Sequence, residues 1–133
     1  MLRKIISVSA GLLVALLFIF LGERVSARLY PIPEGMDIAD RAAMQAYIDS
    51  LPAAAFILIL SGYFVASFFC GAVIRLISGS ADNTPAFFAG IGLTTVGIVN
   101  FFSFEHPWWV IITGLLIFLP ATLLGFTLIR KKG

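Results

Sequence analysis

Cysteine and histidine each occur once in this chain, as Cys70 and His106. That scarcity excludes an internal disulfide, a CxxC metal site, a bis-histidine haem and a histidine-rich zinc centre within one chain. Charge is also scarce: Asp, Glu, Lys and Arg make up 12% of the sequence, against roughly 25% in an ordinary soluble domain. The basic residues sit at the ends of apolar runs rather than along one face, so the net charge of +2 carries no nucleic-acid signature. A phosphate-binding glycine loop is missing, because Gly90-x-Gly92 lies inside an apolar run. The lone histidine also has no nucleophile motif beside it, which removes a Ser-His-Asp reading.

What the chain has instead is four long apolar runs, at about residues 4–22, 53–75, 85–102 and 108–129. Each holds roughly 17 to 22 residues, enough at about 1.5 Å per residue to cross a hydrocarbon core of about 30 Å. The expected fold is all-α: a four-helix transmembrane bundle forming one domain over residues 1–133. The stretch 23–52 is left as an outer loop carrying one short amphipathic helix.

Basic residues set the orientation. Arg3, Lys4, Arg75, Arg130, Lys131 and Lys132 fall on one side, while Arg24, Arg28 and Arg41 fall on the other. The positive-inside rule then puts both termini in the cytoplasm and the 23–52 segment on the periplasmic face. Residues 1–27 also imitate a signal peptide, with Val25-Ser26-Ala27 as the cleavage site. The apolar stretch is too long for an ordinary h-region and Glu23 and Arg24 crowd that site, so an uncleaved first helix is the expectation.

The first helix is expected to continue beyond its apolar run until Pro31 stops it. Asp37 is the expected N-cap of the short helix, which runs to about Asp49 with Met44, Tyr47, Ile48 and Leu51 on its apolar side. The polar link around 78–85 is short, making the second and third spans antiparallel neighbours. The third span is the least hydrophobic and is expected to be the most protein-covered, while Pro120 predicts a kink in the fourth. Superposing the second and fourth spans at an offset of 55 residues pairs Pro52 with Pro107, Ala66 with Ala121 and Arg75 with Arg130. A tandem repeat of two helical hairpins would produce that pattern, and so would chance in an apolar alphabet.

Small residues recur at helical spacing. Gly62, Ala66 and Cys70 form a stripe on the second span, widened by Ser67 and Gly71; Gly90 and Gly97 stand on the third, and Ala121 and Gly125 on the fourth. In lipid, close backbone approach through such residues supplies much of the helix association, inside the bundle or toward a partner. Chemistry-bearing residues gather on the outer side. Glu23, at the end of the first apolar run, is expected at a depth similar to Asn100, with His106 near by; the three are a candidate ion or proton site. Glu34, Asp37 and Asp40 are a candidate weak cation cluster, with helix capping and solvation as the plainer account of the same residues. No cofactor and no resident metal are expected.

The signature Tyr30-Pro31-x-Pro33-x-Gly35-Met36-Asp37-x-x-Asp40, followed by Tyr47-Ile48-x-Ser50-Leu51-Pro52, resembles a group of small four-span bacterial inner-membrane proteins. The resemblance implies a bacterial membrane location and supplies no activity. The expected role is association, as an accessory or assembly subunit of a larger membrane complex or as a homo-oligomer, and not an enzyme. The alternative is a small proton or cation transporter or channel with Glu23 at the outer end of a pathway lined by Asn100, Thr94 and Thr95.

Overall fold

The computed structural model describes residues 1–129. Arg130, Lys131 and Lys132, three of the basic residues used for orientation, lie outside the described residues. Five helices and no strands make up the described chain: α1 (Leu2–Leu29), α2 (Arg41–Asp49), α3 (Ala53–Ser78), α4 (Thr84–Ser103) and α5 (Trp108–Leu128). All but α2 are long and apolar enough to cross a membrane, so the fold is that of a multi-pass transmembrane bundle.

The boundaries follow from local chemistry. The α1 helix outlasts its apolar run because nothing between Glu23 and Leu29 breaks it. The Tyr30 N–H closes the last turn on the Ser26 carbonyl at 2.8 Å, and Pro31 then forces the preceding residue out of helical geometry. The α3 helix ends on Gly79, whose φ of 66° is a left-handed conformation that glycine adopts without strain. Asp82 accepts from the Thr84 N–H at 3.1 Å and the Thr84 hydroxyl at 2.7 Å, anchoring the start of α4. Helix α5 runs through Pro120 without interruption.

Asp40, not Asp37, is the N-cap of α2, accepting from the N–H groups of Ala42 and Ala43. Asp37 instead accepts from the Ala39 N–H at 2.9 Å. Gly35, at φ 79°, turns the chain there, so Asp37 belongs to the turn and the helix begins one turn later.

The transmembrane helices alternate in direction, and α3 is their centre. It packs along α1 on one side and α5 on the other, and α4 rests chiefly on α5. One expectation is corrected here: the third span is not the most covered, since 44% of the apolar window of α3 is buried against 33% for α4. Helices α3 and α4 touch, as the short link leads one to expect, and each packs more extensively on α5.

Backbone proximity explains the order. A methyl group added at Gly71 would overlap the Thr122 carbonyl oxygen, and one at Gly125 would overlap the Phe68 carbonyl oxygen. The contact is reciprocal: residue i of α3 corresponds to residue i+54 of α5, carrying Gly71 to Gly125 and Phe68 to Thr122. The register of the α3 to α5 contact therefore differs by one residue from the offset of 55 read in the sequence. On the other face of α3, Gly11 lies against the Cys70 carbonyl, and Gly22 faces Gly62. Ala66 and Cys70 are completely buried. In the second hairpin Gly90 meets Leu119, Gly97 meets Phe118, Gly114 meets Phe101, and Ala121 is buried.

At the end opposite α2, Lys4 pairs with Asp82 at 2.7 Å and Arg3 donates to the Ile77 carbonyl at 2.6 Å. Arg75 donates to the carbonyls of Ile129 and Ser80 and lies over the Phe126 ring. These bonds tie α1, α3, α4 and α5 together at one end.

Gly71→Ala and Gly125→Ala are each expected to destabilise the protein by about 2 to 4 kcal/mol, because the two helices must separate to admit the methyl. Gly92→Ala, at a site with nothing within 4 Å, should be neutral or stabilise by up to about 1 kcal/mol. Thermal melts of the three variants in one detergent check this ranking. The hydrogen bond from Lys4, followed by those from Thr84, holds the Asp82 carboxyl below the usual carboxylate range. Its folded pKa is therefore lower than the unfolded value of about 3.9, so its stabilisation is full above about pH 4 and is lost as pH falls through the folded value. Asp82→Asn should lower the melting temperature slightly at pH 7, with the gap closing as the pH is taken down from 4.

Candidate functional site: a roofed cavity at the α2 end

At the end opposite the Lys4–Asp82 pair, α1 and α4 stand apart over α3 and leave a cavity of about 460 Å³. Its floor is α3, through Phe56, Ile59 and Tyr63. Tyr63 is ten residues into that helix, roughly 15 Å from its start. Below it the bundle closes, since the next turns of α3 are clamped by Gly11 of α1 and Gly125 of α5.

The roof is α2. Its apolar side, Met44, Tyr47 and Ile48 with Leu51 just beyond, faces the cavity, which accounts for the spacing of those residues in an otherwise polar segment. Three attachments hold it. Tyr47 donates its hydroxyl to the Tyr30 carbonyl at the end of α1. Burial pushes the Tyr47 phenol above its ordinary value, so it remains a donor at physiological pH. Gln45 makes a reciprocal pair with the Glu105 backbone, donating to its carbonyl at 2.9 Å and accepting from its N–H at 2.8 Å. Arg41 donates to the Ser103 carbonyl and lies 4.9 Å over the Phe104 ring. The short helix thus bridges the end of α1 and the α4–α5 loop.

Glu23, Asn100 and His106 all line this cavity. Asn100 donates its amide to the Tyr63 hydroxyl at 3.1 Å. The His106 Nδ1 lies 2.9 Å from the Phe104 carbonyl and 3.2 Å from that of Phe101. Carbonyls only accept, so Nδ1 carries a proton. Glu23 and Tyr63 also flank a narrow crevice beside Gly22 and Gly62. Among the described residues Glu23 has no ion-pair or hydrogen-bond partner.

Other expected site residues lie elsewhere. Thr94 and Thr95 are not part of the cavity; each bonds back to its own helix, to the carbonyls of Gly90 and Ile91. Glu34, Asp37 and Asp40 do not converge: Asp37 and Asp40 are occupied by backbone N–H groups, and no three acidic, histidine or cysteine side chains among the described residues gather as metal ligands. Capping draws Asp37 and Asp40 apart, because each of the two turns toward its own backbone donor. Tyr63 and Gln45 were not singled out in the sequence. A lone tyrosine in mid-span is a usable signal, since its hydroxyl needs a partner there.

A scan against protein-family models and searches of curated proteins and of solved structures find no match to this chain.

Gln45→Ala removes both bonds to Glu105 and is expected to loosen the roof. Hydrogen exchange at the Glu105 amide should accelerate about tenfold, matching loss of about 1.4 kcal/mol of protection. Exchange at the Gly71 amide, in the clamped part of the bundle, should stay unchanged.

Proposed function

We propose that this protein acts by association within the membrane, as an accessory or assembly subunit of a larger complex or as a homo-oligomer. The carrying observation is a mismatch in α4. It is the least apolar of the four long helices, yet only a third of its apolar window is buried. Its outward side includes Gly92, which meets nothing within 4 Å, and the exposed Thr95 and Val99. Phe88, on the same side, borders α1 at one end, and Asn100 borders the cavity at the other. Along α4 between those ends runs a seam of small and exposed residues, Gly92, Thr95 and Val99. A glycine facing lipid loses packing that a partner helix would supply, and small residues at such a position favour close helix approach.

The location that fits this reading is a bacterial inner membrane, with both termini cytoplasmic and α2 on the periplasmic face. It rests on the distribution of basic residues. A transport role draws support from the convergence of Glu23, Asn100 and His106 in one cavity. Against it stands the tight glycine packing beneath Tyr63, where Gly11 of α1 and Gly125 of α5 lie close to α3. Transport would require an oligomer or a large rearrangement.

Gly92→Leu separates folding from association, because the single chain has room for the side chain. Native mass spectrometry of gently extracted protein should show a stoichiometric complex for the wild type and the lone chain for Gly92→Leu, with equal melting temperatures. A wild-type protein that emerges alone, or a variant that keeps its partner, would overturn the reading.

A further inference from the structure

We propose that the roofed cavity binds an organic amine: a protonated primary ammonium carried on an apolar body. The inference goes beyond association and holds for the single chain. Its first support is charge. Glu23 is the one acidic or basic residue among the cavity's lining groups other than His106, and it lacks a cationic partner among the described residues. The nearest arginine in sequence, Arg24, is directed 5.8 Å over the Phe20 ring, and Arg41 is engaged at Phe104 and Ser103. An ionisable group at the edge of the hydrocarbon region without a counter-charge marks a place for a cation.

The second support is the hydrogen-bond inventory. The Asn100 amide is used on Tyr63, leaving its carbonyl oxygen to accept. Nδ1 of His106 is used on two backbone carbonyls, leaving Nε2 as the ring's other polar atom. The Glu23 carboxylate and the Asn100 carbonyl accept, while the Tyr63 and Ser26 hydroxyls can donate or accept. The one full charge in that set is the Glu23 carboxylate, and an ammonium, which is charged and donates N–H groups, matches it. An inorganic cation does not, because most of the remaining wall is apolar and no three ligating side chains converge among the described residues.

The third support is the wall itself. Phe56, Tyr63 and Phe101 place aromatic rings around the acceptors, and the faces of such rings attract ammonium groups. The volume of about 460 Å³ lies in the range that takes a small organic molecule. Ser26 on α1 and Ile48 on the roof line the same space, so the apolar body would rest between α1 and α2 with its ammonium toward Glu23.

The test is calorimetric titration of the full chain in a neutral maltoside detergent with decylammonium and, separately, decanol. Decylammonium should bind at least tenfold more tightly than decanol. Glu23→Gln should erase that preference by weakening the ammonium at least tenfold while leaving decanol unchanged. Ser26→Phe, which fills the cavity from α1, should abolish binding of both and thereby exclude simple uptake into micelles. Short-chain phosphatidylethanolamine distinguishes the sources: displacement of decylammonium indicates a lipid headgroup amine, and failure to displace it indicates a free amine. Equal affinity for decanol and decylammonium, or a Glu23→Gln variant with undiminished ammonium binding, would overturn the proposal.

Discussion

The approach of α3 to α5 through Gly71 and Gly125 is the constraint on which the remaining architecture depends. Each glycine lies where the other helix presents a carbonyl oxygen, so neither position admits a side chain without parting the helices. With no water to drive apolar surfaces together in a bilayer, that close fit is what holds α5 against α3. Once α5 occupies one side of α3 and α1 the other, α4 rests chiefly on α5, with smaller contacts to α1 and α3. Helices α1 and α4 are joined at one end by Lys4 and Asp82, and at the other they frame the cavity that α2 covers.

Much of this was legible in the sequence, and the reason it was legible is the membrane. Four apolar runs had to become helices, because a spanning segment must satisfy its own backbone hydrogen bonds. The extension of α1 to Pro31 was legible for the same local reason, as was the apolar side of α2. Helix order was not. Hydropathy reports how apolar a helix is and not which neighbour it meets: Gly90 and Gly97 of α4 pack on α5, whereas Thr95 and Asn100 of the same helix are exposed. The stripe of Gly62, Ala66 and Cys70 stands out because its spacing is regular, and in the structure it serves α1. The contact with α5 runs through Gly71, one position away around the helix.

The cavity was legible in part. Depth arithmetic along two helices brought Glu23 and Asn100 to one level, and the short α4–α5 loop brought His106 with them. The role of Tyr63 could not be read so directly, because a tyrosine in a span has several directions available until the helix order is known. Thr94 and Thr95 show the limit of depth as a guide: hydroxyls in a helix satisfy themselves on the preceding turn, so their level in the membrane says little about what they face.

The seam and the cavity are physically continuous in α4, since Gly92, Val99 and Asn100 follow one another along its uncovered side. A helix packed into the seam would therefore border the cavity where α1 and α4 stand apart. It would replace lipid as the wall on that side and lower the exposure of Glu23 to water, which strengthens any attraction between that carboxylate and a cation. Association and ligand binding would then be coupled, and reciprocally so: a partner that tightened the cavity on its ligand would itself be held more tightly when the ligand was bound. The α2 roof sits where such coupling would register. Its bonds reach the end of α1 and the α4–α5 loop, the two elements that a helix in the seam would press on from either side.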